Sequence, residues 1–170
     1  LSGYARAAWG VVTGNPSAGG GSTITQQYVK NAVVGDERTV TRKAKELVMS
    51  AKMAREWSKD EILEGYLNIV LFSGRAYGVE AASQYVFGKS AADLESWEAA
   101  TLAGMVQSPT RFNPARNPEE ATERRNLVLN AMKDNGYLSQ EEYDHAVAQP
   151  MEVVMESRPR SEEHTSELQS

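Results

Sequence analysis

The residues best suited to chemistry gather in Gly19-Gly20-Gly21-Ser22-Thr23-Ile24-Thr25-Gln26-Gln27. Three glycines open backbone conformations closed to other residues. Hydroxyl and amide side chains follow, broken only by Ile24. Ser22 or Thr23 is placed to cap a helix, with Gln26 and Gln27 in its first turns. Such a helix start presents backbone N–H groups and a positive dipole end, which suit an anionic ligand. Lys30 follows Gln26 by four residues and Gln27 by three, so it shares their helix face. Arg42, Lys43 and Lys45 are the next cations of interest, and Glu46 lies four residues after Arg42. Two readings of this set stand side by side. One is a polar cradle for phosphate and sugar hydroxyls. The other is a Gly-rich loop before an ordinary capped helix, with the charges on a solvated helix face.

Other chemistries find no support. The chain has no cysteine, which excludes disulfides and thiolate metal sites. HExxH and EF-hand patterns are absent. Of the two histidines, His164 falls in the C-terminal tail, and His145 reads as a surface residue of the last helix, so no Ser-His-Asp set is credible. A net charge of −5 argues against a general nucleic-acid binder. No apolar run is long enough to span a bilayer, and no signal peptide is visible.

The elements that must position these residues read as helices. With 170 residues the chain is long enough for one domain with a core, expected over residues 1–155. Residues 156–170 read as a linker and tail. Arg160 to Ser170 resembles a translated sequencing-adapter oligonucleotide and is set aside as non-native. Leu1, Tyr4, Ala5, Ala8, Trp9 and Val12 recur at helical spacing, either as core or as a membrane-interface stripe. The helix after the cradle is expected to run to about Ala32, and Gly35 to Arg38 reads as a loop. Thr39 to Trp57 predicts a helix with Val40, Ala44, Leu47, Val48, Ala51 and Ala54 on its buried face. Ser58 and Glu61 form a capping box for a helix that buries Ile62, Leu63, Tyr66, Leu67 and Val70 and is broken between Gly74 and Gly78. A helix to Phe87 should end at Gly88. Ser90 and Asp93 are expected to start a helix running through Leu94 to Val106. Asn117-Pro118 should cap another, with Ala121, Leu127, Val128, Ala131 and Met132 inward. Ser139 caps a last helix, and Met151 to Met155 reads as a short strand.

Four stretches together resemble one family. Gly20 to Gln27, continued by Tyr28-Val29-Lys30-Asn31, is similar to the second signature motif of the bacterial peptidoglycan glycosyltransferases (family 51), the polymerising domain of class A penicillin-binding proteins. Arg42-Lys43-Ala44-Lys45-Glu46 resembles the third motif, RKxxE. Lys59 to Asn68 resembles the fourth, KxxILExYLN, and Arg124 to Leu129 the fifth, RRxxVL. The first motif, EDxxFxxHxG, which supplies the carboxylate taken as general base, is not in these residues. The resemblance therefore implies a piece of the domain that is inactive without that base.

The resemblance also implies a mainly α, lysozyme-like fold with a small membrane-apposed lobe, at the extracytoplasmic face of the cytoplasmic membrane. The reaction it implies is polymerisation of lipid II into glycan chains with inversion, undecaprenyl pyrophosphate leaving. Lys30, Arg42 and Lys43 would clamp the pyrophosphate, and Ser22, Thr23 and Gln27 would touch the ligand, with Asn31 supporting Lys30. Glu46 would be the second essential carboxylate and a candidate ligand for a divalent cation, Mg2+ or Mn2+. Glu64, Tyr66 and Asn68 read as packing or supporting residues, and Arg124 and Arg125 as braces around the cleft. Expected partners are lipid II, the growing glycan, the membrane surface, moenomycin-type inhibitors and, in bifunctional relatives, a following transpeptidase domain. A non-catalytic helical interaction module and a lysozyme-like glycosidase are the alternatives. The glycosidase would leave the cation cluster without a phosphate to hold.

Overall fold

The computed structural model describes residues 23–34, 40–74 and 76–155, except that in 33–34 and 40–47 only the Lys45 side chain is described. Helix α1 spans Ile24–Val29 and continues as a π-helical turn, Lys30–Val34, beyond the expected end near Ala32. Helix α2 is Val40–Glu56 and α3 is Lys59–Ile69. Strands β1 (Leu71–Ser73) and β2 (Ala76–Tyr77) follow. Helices α4 (Val79–Phe87), α5 (Ser96–Gln107), α6 (Pro118–Asp134) and α7 (Gln140–Ala148) complete the described chain. The architecture is mainly α, as expected. Among the described residues no helix is long and apolar enough to cross a membrane. The amphipathic stripe of Leu1 to Val12, the loop from Gly35 to Arg38 and the tail lie outside the described residues.

The core is built where sequence patterning is strongest. Leu63, Tyr66 and Leu67 of α3 meet Val86 and Phe87 of α4, Trp97, Leu102 and Met105 of α5, and Val128, Leu129 and Met132 of α6. The Phe87 and Trp97 rings meet edge to face at 5.5 Å, a geometry favoured by the ring quadrupoles. Ser58 and Glu61 form the expected capping box, Gly88 ends α4 in the left-handed region at φ 68°, and Ser139 caps α7 with Glu142.

Several expectations are corrected. Val48, Ala51 and Ala54 of α2 are exposed, while Ser50 is buried and Met53 half-buried. The inward face is thus turned by roughly a third of a revolution from the apolar stripe, at about 100° per residue. The described partners of α2 are chiefly α1 and the π turn. A helix with one packed side need not bury its whole apolar stripe. The helix already ends at Ile69, and Leu71 to Tyr77 form an antiparallel hairpin with Leu71 opposite Tyr77. A short apolar run such as Val70-Leu71-Phe72 does not distinguish strand from helix by period. Ser90 caps only a 3-10 turn, Ala91–Asp93, and α5 starts afresh where Glu98 accepts from the Glu95 N–H at 2.8 Å. The Asn117 side chain does not cap α6, because it donates to the carbonyls of Thr110 (3.3 Å) and Arg111 (2.9 Å). Leu127 is exposed, and the inward positions include Arg125 and Leu129 instead. Met151 to Met155 forms no strand, although the Val154 N–H donates to the Val86 carbonyl at 2.9 Å.

Arg125 joins α6 to the end of α7. It is 1% exposed. Nη1 donates to the Gln149 carbonyl at 2.8 Å, Nη2 to the Val147 carbonyl at 3.2 Å and Nε to Asn126 Oδ1 at 3.0 Å. The end of a helix leaves carbonyls without intrahelical partners and carries partial negative charge, so a buried cation here is balanced. Replacing Arg125 by Met keeps the stem and removes these bonds. It should lower stability by about 2–4 kcal/mol, read from urea unfolding. A loss below about 0.5 kcal/mol, the level of an ordinary surface change, would rule out the bracing role.

Candidate functional site

The site is built on α1 and what holds it. Thr23, rather than Ser22, is the N-cap: its Oγ1 accepts from the Gln26 N–H at 3.2 Å, and its N–H donates to Gln26 Oε1 at 3.3 Å. That reciprocal pair satisfies two N–H groups at the helix start. Tyr28, one position past Gln27, lies over α3 where Gly65 leaves room. A Cβ at Gly65 would fall 2.9 Å from the Tyr28 ring and hydroxyl. The Trp57 ring stands 6.1 Å from Tyr28, and Val29 is fully buried. These contacts fix which face of α1 stays outside.

Gln27 is tied to the core by Tyr66. The Tyr66 side chain is 1% exposed, and its hydroxyl donates to Gln27 Oε1 at 3.1 Å. Burial raises the phenol pKa, because the phenolate would lose its hydration. The hydroxyl therefore remains a donor across the physiological range. With Oε1 accepting, the opposite half of the Gln27 amide can only donate. Lys30 and Asn31 follow one turn later, and both are exposed.

The second cationic segment lies on the adjoining helix. Arg42, Lys43 and Glu46 are on α2, which packs on α1 and on the π turn holding Lys30 and Asn31. The two segments expected to form the site are therefore neighbours, although 12 positions separate Lys30 from Arg42 in the sequence. Ser22 and the side chains of Arg42, Lys43 and Glu46 lie outside the described residues. Among the described residues no group of His, Asp or Glu could hold a metal ion. Glu64 and Asn68 are exposed, and His145 is exposed on α7. Sequence reasoning missed the link from Tyr66 to Gln27. Its only sequence signal was a tyrosine on the buried face of α3, whose hydroxyl needs a partner.

Away from α1, Asn113 ties the loop between α5 and α6 to the hairpin. Its Nδ2 donates to Ser73 Oγ at 3.3 Å, and its Oδ1 accepts from the N–H groups of Ala115 (3.0 Å) and Arg116 (3.2 Å).

The Tyr66–Gln27 bond can be weighed by a double-mutant cycle with Tyr66→Phe and Gln27→Leu. The coupling should be about 0.5–1.5 kcal/mol, the net value of one such bond. The raised phenol pKa adds a pH signature. Its contribution is complete below the ordinary tyrosine value of about 10 and falls as pH rises past it. That alkaline loss should be smaller in the Phe variant. Strict additivity in urea unfolding would show that Tyr66 does not hold Gln27.

Comparison with known proteins identifies the family. Residues 1–133 match the transglycosylase family. Penicillin-binding protein 1A of Mycolicibacterium smegmatis is 50% identical over 153 residues, covering 88% of this chain and 20% of that protein. Penicillin-binding protein 1A/1B of Bacillus subtilis is 50% identical over 130 residues, covering 76% of this chain and 14% of that protein. The crystal structure of penicillin-binding protein 1A from Haemophilus influenzae superposes with a TM-score of 0.56 at 34% identity, over 79% of this chain and 17% of that one. The chain thus spans no more than 20% of the length of these relatives. A match over residues 1–133 of 170 places the chain in the transglycosylase family.

Proposed function

We propose that this chain is part of a peptidoglycan glycosyltransferase that polymerises lipid II in bacterial cell-wall synthesis. The acceptor sugar hydroxyl attacks the donor's anomeric carbon with inversion, and undecaprenyl pyrophosphate departs. The observation that carries this reading is the packing of α2, with Arg42, Lys43 and Glu46, against the segment holding Gln27, Lys30 and Asn31. Two groups of cations on adjoining elements suit a diphosphate, whose charge grows as it leaves. Arginine adds a planar fork for phosphate oxygens. Gln27 lies beside Lys30, and Ser22 and Thr23 complete the ligand contacts. Glu46 serves as the second carboxylate. A divalent cation held by Glu46 and phosphate oxygens would fit the ordinary chemistry of magnesium. The enzyme works at the extracytoplasmic membrane surface, takes moenomycin-type inhibitors in the same site, and carries a transpeptidase domain beyond these residues. No observation favours the interaction module or the glycosidase.

Binding tests the clamp. Arg42→Ala should weaken a soluble phosphoglycolipid by about 1.5–3 kcal/mol, the range for hydrogen bonds to charged groups, measured by calorimetry. Unchanged affinity in a folded variant would remove Arg42 from the site.

Catalysis tests Glu46 and the general base together. Leu1 to Ser22 contains no Asp or Glu. The 170-residue chain alone should therefore be slower than one extended through the EDxxFxxHxG segment by about 10²–10⁴-fold or more, the usual worth of general-base assistance. In the extended protein Glu46→Gln should abolish most glycan formation on gels. A Glu46 that only paired with Arg42 on the surface would contribute at most about 1 kcal/mol to stability. Full polymerisation by the Gln variant would sink its catalytic role.

A further inference from the structure

Arg124 precedes Arg125 on α6 but has a different environment. Its stem runs beneath α5. A Cβ on Gly104 would sit 2.9 Å from Arg124 Cγ, closer than packed atoms come. The guanidinium carbon is 5.7 Å from the centre of the Phe112 ring. Both Nε and Nη2 are buried and have no hydrogen-bond partner; among the described residues no other buried side-chain nitrogen or oxygen is in that state. Burial lowers the pKa, yet an arginine remains charged in proteins.

The identity of the two atoms matters. The Nε–H and the neighbouring Nη2–H lie side by side in the guanidinium plane and form the fork that takes both oxygens of a carboxylate. Arg124 as a whole is half-buried, but leaving these two covered donors unmatched is unfavourable, and the Phe112 ring offsets only part of the penalty. Glu120, one turn before Arg124 on the same helix, pairs instead with Arg111 at 3.2 Å. Leu1 to Ser22 offers no acid. The relatives extend far past the matched region, which is 20% and 14% of two of them.

We infer that the Nε/Nη2 fork of Arg124 is the receptor for a carboxylate side chain from the part of the protein outside these 170 residues, which docks beside Phe112 between α5 and α6. One carboxylate leaves a neutral buried pair, whereas a doubly charged phosphate would leave an excess negative charge. The docking does not depend on the catalytic reading.

The test compares Arg124→Met, which keeps the stem and removes the charge, with Arg124→Lys, which keeps the charge and loses the fork. Both are made in the 170-residue chain and in the longer natural reading frame, and thermal midpoints are measured. In the 170-residue chain the Met variant should melt higher by about 2–4 °C or more, because an unpaired charge is gone. In the longer protein both variants should melt lower, because the incoming acid is orphaned. A Met variant that lowers the midpoint in the short chain would put the acid within it, at Asp36, Glu37, Glu46 or an acid after Met155, and overturn the inference. A Met variant without effect in the short chain, or one that melts no lower than its parent in the longer protein, would also overturn it. If the longer Met variant fails to fold, the Lys variant decides: a midpoint equal to the parent's would show that the fork holds nothing.

Discussion

The seating of α1 on α3 is the constraint from which the site follows. Tyr28 fits only because Gly65 has no side chain, and Tyr66 reaches out of the core to hold Gln27. Without these contacts a six-residue helix would not persist, since isolated helices this short are unstable in water. The placement of Gln27 and Lys30 is therefore a property of α3 as much as of their own helix. The helix that resembles the fourth family motif presents the helix that resembles the second.

The same logic extends to α2. Its stable contacts are with α1 and the π turn, so anything that loosens α1 also displaces Arg42, Lys43 and Glu46. Among the described residues the apolar side of α2 is exposed, with Val48 at 70%.

Adjacent arginines on α6 show how little a motif says about roles. Arg125 is satisfied by the carbonyls that end α7. Arg124, one position earlier on the helix, leaves two of its three guanidinium nitrogens unpaired. Successive helical positions diverge by about 100°, so neighbours in sequence meet different surroundings. The first braces two described helices, while the second awaits a partner from elsewhere.

Local chemistry alone determined much of this protein. The capping box at Ser58 and Glu61, the left-handed stop at Gly88 and the buried row of α3 were all legible, because each depends on residues within a few positions. The motif order also pointed to the family that the comparisons bear out. Other features were decided only when the chain folded. The orientation of α2 depended on which side met α1, and periodicity defines a stripe without saying what covers it. The hairpin at Leu71–Tyr77 depended on pairing across a turn. Leu127 and Arg125 exchanged the places that their polarity suggests, because a buried guanidinium can be satisfied by helix-end carbonyls that lie 22 to 24 residues away in sequence. Such long-range partners leave no local trace, so only the tertiary structure could assign them.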